Sequence, residues 1–343
     1  MRLNFRNLFL FGAAFSVTCA ASFGQTRPVQ SFPLYDTSGL VMAGKVKAEA
    51  VEYQGRKAVR LDYDRSGDGF AVLPGTDFQD GVIEADIALK ITTPPGFRDP
   101  GFIGIAFRAK PDASQYELFY VRPGNSSAED QAMRNHSVQY VAKPGYDWYV
   151  LRREWPWVYE SYADLKPETW TPVKIEVAGR RAKLYLNGSP NPSLVVDGLK
   201  GQNLHGAVAL WGFANEEAYF SNVRITAAEP QNVQNGSDIA GTWDLRYSSD
   251  VGPMNGSLKL TRDGSKVTGS WSGPLGQDCP VTGTWRDGYV ELSFSGEWPK
   301  DYGIGAPGPV TASLAGWIDG NAGKGRMRVD HHSDGQWAAT RKP

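Results

Sequence analysis

Short runs of alternating apolar and polar residues fill the chain between residues 31 and 226, and Gly, Pro, Asn or Asp closes most of them. No stretch there keeps a helical period over three turns. A period of two is typical of strands with one buried face, and closely spaced turn residues are typical of antiparallel connections. Nine such runs stand out: 58–63, 81–89, 102–108, 116–122, 137–141, 171–177, 182–186, 206–212 and 218–225. We therefore predict an all-β fold over 31–226, with two antiparallel sheets packed as a sandwich or jelly roll.

The last hundred residues carry a second series of strand-like runs. There are eight of them: 240–247, 256–261, 266–272, 280–285, 289–294, 310–317, 323–329 and 336–340. Asp-Gly pairs at 263–264, 287–288 and 319–320 are typical of tight hairpins. Because eight hairpin-linked strands can close on themselves, we predict a smaller antiparallel up-and-down barrel over 239–343. The polar stretch 227–238 is interpreted as the linker between the two domains.

The N-terminal segment has the pattern of a secretory signal peptide. Arg2 and Arg6 precede an apolar run over 8–21, and small residues follow it. We expect cleavage after residue 24 and export to the periplasm or the exterior. The apolar run is too short to predict a membrane span. Only Cys279 would remain after cleavage, so we expect no internal disulfide.

Charge and motif content exclude several classes of function. Lys and Arg total 36 against 37 for Asp and Glu, so the chain lacks the basic character of a nucleic-acid binder. The four histidines do not follow a metal-ligand spacing, and a P-loop or a Gly-x-Ser-x-Gly elbow is not found. We expect no cofactor and no metal site. The sequence does not predict an oligomeric state.

A first candidate cluster lies on the predicted strands 102–108 and 116–122. Alternation places Arg108 on the face of Gly104 and Ala106, and places Tyr120 with Arg122 on one face of the next strand. If those strands are neighbours, the two guanidiniums and the phenol converge on the concave face, where they suit hydroxyls, carboxylates or an enolate-like oxygen. Two residues of the following run extend the cluster: Gln139 and Tyr140.

The same arginines have a purely structural interpretation. Arg108 and Arg122 could pair with acids such as Glu117 and Asp130 and only join neighbouring strands. The residues alone leave these two interpretations open.

A second candidate is the aromatic run over 145–162. Aromatic rings stack on the apolar faces of sugars while charged side chains bind the hydroxyls, so the run predicts a wall of a glycan site. Its tryptophans are the proposed stacking residues: Trp148, Trp155 and Trp157. The alternative is an aromatic lid that packs on the core.

Several of these segments resemble known families. Residues 78–86, 104–108, 116–123, 170–188 and 220–225 resemble the concanavalin A-like, laminin-G-type sandwich, and their order is similar to the 3-keto-disaccharide hydrolase-like family. That resemblance covers about residues 31–226. It implies a site contribution from the Tyr-Glu strand, which nominates Glu117, although Phe119 stands where that family has glutamine. Gly241-Thr242-Trp243, together with Trp337, resembles the lipocalin and avidin-type barrels.

Three functions follow as hypotheses. The first is an exported hydrolase or lyase of 3-keto-glycosides or uronic-type sugars. In it, Arg108 and Arg122 orient the oligo- or polysaccharide, and Glu117 or Tyr120 acts as acid or base. The second is a carbohydrate-binding protein that uses the same face without chemistry. The third is a structural or envelope protein whose barrel binds an apolar ligand.

Overall fold

The computed structural model describes residues 29–63, 67–94, 99–213, 216–230, 238–302 and 305–343. The predicted signal peptide, 1–24, lies outside these ranges, and so do residues 231–237 of the predicted linker. The described chain is all-β with three short α-helices and one 3₁₀ helix (Lys300–Tyr302), which confirms the predicted fold class of a sandwich and a barrel.

The strands and helices of the sandwich are, in chain order, β1 (Val29–Phe32), β2 (Val41–Gly44), β3 (Val46–Tyr53), β4 (Arg56–Tyr63), β5 (Asp68–Val72), β6 (Gly81–Ile91), β7 (Ile103–Ala109), β8 (Tyr116–Val121), α1 (Pro123–Ser126), α2 (Gln131–Arg134), β9 (Val138–Lys143), α3 (Trp148–Glu154), β10 (Glu160–Ser161), β11 (Thr171–Ala178), β12 (Arg181–Leu186), β13 (Leu194–Val196), β14 (Ala207–Phe213) and β15 (Glu216–Ala227). The barrel consists of β16 (Gly241–Ser249), β17 (Gly252–Asp263), β18 (Lys266–Gly273), β19 (Gly276–Arg286), β20 (Tyr289–Trp298), β21 (Gly308–Asp319), β22 (Ala322–Val329) and β23 (Ser333–Arg341).

The sandwich packs an eight-stranded sheet on a seven-stranded one. The first has the order β13-β12-β11-β6-β15-β4-β3, with β1 paired to β15, and the second has the order β10-β9-β8-β7-β14-β5-β2. Alternation decides the faces: Ile83, Ala85 and Ile87 of β6 are buried between the sheets, while their polar neighbours point outward. The two sheets pack with their apolar faces together, because burial of apolar area is the main contribution to the stability of the sandwich.

The seven-stranded sheet has two distinct faces. Its inner face, turned toward the other sheet, carries Ile105, Phe119 and Tyr140, which are aligned across β7, β8 and β9. Its outer face carries Tyr120, which is aligned with Gln139 of β9, and Gln139 is aligned with Glu160 of β10. Leu118 on this outer face and Leu151 of α3 are both buried, so the segment around α3 covers part of it.

The barrel is a single closed ring in chain order, with β23 hydrogen-bonded back to β16. The hairpin between β19 and β20 has the backbone that an Asp-Gly turn requires, because Asp287 and Gly288 have φ angles of 52° and 87°. At the other two predicted hairpins only the glycine has a positive φ, 56° at Gly264 and 58° at Gly320. The interior holds three fully buried tryptophans: Trp243, Trp271 and Trp298. The barrel therefore has a packed core of its own.

Sandwich and barrel contact one another through charged and aromatic groups. Arg180 Nε and Nη2 donate to Asp287 Oδ2 at 2.9 and 2.7 Å. The ring of Tyr289 lies on Gly198 so closely that a Cβ there would come within 2.3 Å of it. These contacts place the β19–β20 hairpin beside the turn between β11 and β12 and beside the chain that follows β13.

The longest helix within the described ranges, α3, has seven residues, and no helix there could cross a membrane.

Candidate functional site

A β-bulge decides where Arg108 points. The register between β14 and β7 slips here, since Ala209 pairs with Ala106 whereas Ala207 pairs with Ala109. Arg108 has a φ of 50° at this step. A bulge adds one residue to a strand and re-aims its side chain. Arg108 consequently lies on the inner face, contrary to the alternation that placed it with Gly104 and Ala106, and it does not converge with Tyr120 and Arg122.

Arg108 is the centre of a buried ionic network between the sheets. Its side chain is 0% exposed, and its guanidinium lies 3.0 Å from Asp80 and 3.1 Å from Glu117. The second carboxylate oxygen of Glu117 accepts a hydrogen bond from Tyr140, which is fully buried. Glu117, Tyr140 and Arg108 thus satisfy each other inside the sandwich, away from any surface that a substrate could reach.

Tyr120 and Arg122 do come together, on the outer face. Arg122 Nη2 donates to the Tyr120 hydroxyl at 2.6 Å, and Nη1 donates to the His136 carbonyl at 2.8 Å. Burial raises the pKa of the Tyr120 phenol above its ordinary value, although Arg122 acts in the opposite direction. The phenol is therefore protonated at neutral pH and can donate a hydrogen bond, but it is a poor base.

Gln139 lies beside this pair and is fully buried. Its amide nitrogen donates to the Tyr159 carbonyl at 3.0 Å. Its Oε1 atom has no hydrogen-bond partner among the described residues. Gln139 is thus fixed in place, with one acceptor unused.

Glu160 is the charged centre at the edge of the outer face. Its side chain is 2% exposed, and Arg152 binds it with Nη2 at 2.6 Å and with Nε at 2.9 Å. His136 Nδ1 lies 2.9 Å from the same carboxylate. Burial lowers the pKa of His136, and the charge of Glu160 opposes that effect. The sequence prediction did not include this trio, because its members meet only when β10 pairs with β9 and α3 folds back over them.

Trp157 is the most exposed tryptophan of the aromatic run. Its side chain is 63% exposed, and its ring stacks on His136 with 6.2 Å between centroids and 7° between planes. Its φ is 66°, which is uncommon for any residue except glycine and costs of order 1–3 kcal/mol. An exposed apolar ring in a strained backbone conformation does not help to stabilise the fold. We therefore interpret the position of the Trp157 ring as functional.

The two other predicted tryptophans differ from Trp157 and from each other. Trp148 is exposed on α3, with the guanidinium of Arg152 4.8 Å above its ring. Trp155 is partly buried and packs against the core. Of the three predicted tryptophans, Trp155 and Trp157 line the cleft described next, whereas Trp148 does not.

A cleft of about 910 Å³ lies between the sandwich and the barrel. The sandwich wall is the segment 154–161 with the edge strand β13, and the barrel wall is the outer surface of β19 to β23. Charges of both signs line it, and Arg181 with Asp197 (2.6 Å) and Arg326 with Asp334 (2.8 Å) form ion pairs on its rim. The cleft is large enough for several sugar rings.

The barrel wall of the cleft carries an aromatic pair, Tyr289 and Trp317. Their rings meet edge to face with 5.2 Å between centroids. The Nε1 donor of Trp317 is buried and has no hydrogen-bond partner among the described residues. A buried donor without a partner is costly to the fold.

Lys200 joins the sandwich to the barrel beside the cleft, through contacts with two residues that line it. Its side chain is 3% exposed, forms an ion pair with Glu291 of the barrel, and lies 3.8 Å above the ring of Trp155. Its backbone amide donates to Tyr140. Burial lowers the pKa of Lys200, and Glu291 only partly opposes this effect.

We expect Lys200→Met to remove a component of the pH dependence of stability. A lowered pKa means that the unfolded chain binds more protons below pH 10.5, so the wild-type free energy of unfolding rises with pH in that window. The difference between wild type and variant should rise as well, by at most about 1.4 kcal/mol per pH unit. Urea unfolding at pH 8, 9 and 10 measures it. If the free energies of unfolding of the wild type and of Lys200→Met change equally with pH, Lys200 is not desolvated.

Comparison with known proteins yields no family. The chain matches no known protein family, and no curated protein matches it. Solved structures with similar folds include the carbohydrate-binding module CBM66 from Bacillus subtilis (19% identity, TM-score 0.37, 55% of this chain and 96% of that one). They also include a protein of unknown function with a galectin-like fold from Bacillus subtilis (13%, 0.41, 59% and 96%). A third is a Bacillus licheniformis β-glucanase (13%, 0.37, 60% and 100%). Likeness at this level leaves the function to the geometry of the chain itself.

Proposed function

We propose that this is an exported carbohydrate-binding protein whose ligand lies in the cleft between sandwich and barrel. The export component rests on the signal-peptide pattern of residues 1–24. The binding component rests on one observation above all, which is the exposed, strained Trp157 ring at the sandwich wall.

The surroundings of Trp157 match the chemistry of a sugar. Its indole offers an apolar platform for one face of a sugar ring. Glu160, Arg152 and His136 hold fixed polar groups next to that platform. Across the cleft, Tyr289 and Trp317 provide a second aromatic surface. Apolar faces and hydroxyl edges are thus bound by different parts of one cleft.

The geometry does not allow Glu160 and Asp68 to act together as a hydrolytic carboxylate pair. They are the carboxylates that the described strands of this sheet carry on its outer face, and five strand spacings separate them, about 24 Å. Glycosidase carboxylates act at separations of about 5–9.5 Å. These two groups cannot flank one glycosidic bond.

The test is retention on immobilised oligo- and polysaccharides combined with an assay for released sugars. We expect the folded protein to be retained by at least one glycan and to release neither reducing nor unsaturated products. The heat-denatured protein serves as the control for nonspecific adsorption. Absence of retention by any glycan, with the fold verified by circular dichroism, contradicts the proposal.

A catalytic function is the second candidate, and Asp68 favours it. Asp68 accepts hydrogen bonds from Trp211 Nε1 at 3.2 Å and from the Tyr116 hydroxyl at 3.4 Å. Burial raises the pKa of Asp68 above its ordinary value, which is the direction required of a general acid. In this version the chain is a hydrolase or lyase of 3-keto-glycosides or uronic-type sugars. Product release from such a sugar, and its loss in Asp68→Asn, would establish this function over simple binding.

A further inference from the structure

The barrel wall of the cleft carries three cations on one strand. Lys324, Arg326 and Arg328 alternate along β22 with inward-facing residues, and Met327 between the two arginines is fully buried in the barrel core. The three cationic side chains therefore point outward, and all of them line the cleft. Neighbouring members stand two residues apart, which is about 6.4–6.8 Å along a strand. We call these three residues the basic row.

Two members of the basic row have acidic partners. Arg326 Nη2 donates to the two carboxylate oxygens of Asp334 at 2.9 and 2.8 Å. Arg328 donates to Asp330 Oδ1 from Nε at 3.1 Å and from Nη2 at 2.9 Å. Lys324 is exposed and has neither an acidic partner nor a ring contact among the described residues. One cation of the row is thus left without a partner.

The carboxylates that line the cleft do not compensate Lys324, because each already has a cationic partner. The pairs are Glu154 with Arg153, Glu160 with Arg152, Asp197 with Arg181, Glu291 with Lys200, and Asp334 with Arg326. Among the described residues that line the cleft, Lys324 therefore carries the charge that no other group neutralises. A cleft with low-dielectric walls concentrates the field of such a charge.

Lys324 lies beside the aromatic pair of the barrel wall. Trp317 of β21 is aligned with Lys324 of β22, and Tyr289 of β20 is aligned with Trp317. Aligned side chains of antiparallel strands share a face and lie about 4.5–5.5 Å apart at Cβ. The barrel wall thus combines an aromatic surface with an adjacent unpaired cation, and Trp157 lines the sandwich wall.

We propose that the ligand of the cleft is an acidic glycan, a chain of carboxylated sugars in which one carboxylate pairs with Lys324. This inference rests on the proposed function and names the class of sugar. One sugar ring lies against Trp317 and Tyr289, and its carboxylate binds the ammonium group of Lys324.

The basic row also suits a ligand that repeats its charge. Among the described residues, Asp334 engages only the Nη2 donor of Arg326. The other donors of this guanidinium face the cleft and can bind a second carboxylate, since a guanidinium presents five donors in a fixed plane. A neutral sugar gains nothing from the ammonium of Lys324 that water does not already provide. The row therefore favours a polyuronate over a neutral chain.

Affinity for matched charged and uncharged polysaccharides tests this inference. The charged probes are polygalacturonate, alginate and polyglucuronate, and the uncharged counterparts are fully methyl-esterified polygalacturonate, mannan and β-glucan. We expect the wild type to bind at least one polyuronate, and to bind its uncharged counterpart about fivefold more weakly, which is the size expected for one exposed ion pair. Raising NaCl from about 0.05 to 0.5 M should weaken binding of the polyuronate.

Lys324→Gln should remove this preference. Its affinity for the polyuronate should fall about fivefold, to that for the uncharged counterpart, while its Tm stays that of the wild type. Lys259→Gln is the matched control, because Lys259 is also exposed on the barrel and has no acidic partner among the described residues, but does not line the cleft. This variant should bind the polyuronate as the wild type does.

The outcomes separate this inference from the proposed function. Retention by uncharged glycans with equal or higher affinity overturns the inference and leaves glycan binding intact. An unchanged affinity in Lys324→Gln, or an equal loss in Lys259→Gln, shows that the carboxylate does not bind at Lys324 and overturns it as well. Equally tight binding of dextran sulfate does the same, because the chain then attracts any polyanion. Absence of binding to every glycan, charged or uncharged, contradicts the proposed function itself.

Discussion

Replacing Arg108 by methionine is expected to lower the free energy of unfolding by about 3–5 kcal/mol. The substitution leaves Asp80 and Glu117 buried without their shared cation, and both carboxylates then lose their main charge partner. It also removes donors to the Gln79 and Gly179 carbonyls. Urea unfolding followed by tryptophan fluorescence measures the loss.

Arg56→Met is the control for Arg108→Met. Arg56 pairs with Asp86 at 2.8 Å, but its side chain is 43% exposed, so its loss should cost at most about 1 kcal/mol. A similar small cost at Arg108 would show that the buried network is not formed. Glycan retention adds a second readout, because loss of retention in a folded Arg108→Met would assign Arg108 to the binding site, as the sequence pattern predicted.

Trp157→Gly is expected to weaken glycan binding at least about 30-fold, which corresponds to about 2 kcal/mol. The stacking platform disappears, whereas glycine adopts the φ of 66° without strain. The free energy of unfolding should therefore stay unchanged or rise by up to about 1 kcal/mol. Weaker glycan binding without a loss of stability shows that the Trp157 ring binds the ligand. If the ring instead packed on the core, its loss would destabilise the fold.

Tyr35→Gly is a suitable control, because Tyr35 is also exposed and aromatic but does not line the cleft. Its binding should equal that of the wild type. Isothermal titration with the retained glycan gives both affinities. If Trp157→Gly binds the glycan with unchanged affinity, the glycan does not bind at the Trp157 wall of the cleft and the proposed site is wrong.

The sequence predicted the fold well because alternation and turn chemistry are local properties. Each Asp-Gly pair marks a hairpin whose turn contains a glycine at positive φ, and each predicted barrel run became a strand of the closed ring. The apolar positions of β6 point to the core as their period of two requires. These signals need no knowledge of distant partners.

The site was harder to predict, because it depends on non-local geometry. A single extra residue at the bulge turned Arg108 to the other face, which strict alternation cannot foresee. Arg122 and Tyr120 were predicted together and do pair, since they lie two residues apart at the end of β8. The contact of His136 with Glu160 joins residues 24 apart in sequence, and it arises only once β9 and β10 align.

The ring closure of the barrel also bears on solubility. Strands with unpaired edges can template association with other chains, and a closed ring offers none. In the sandwich, the two edge strands nearest the barrel are short, with three residues in β13 and two in β10. A chain with 12% aromatic residues thus keeps few backbone groups available for edge-to-edge aggregation on that side.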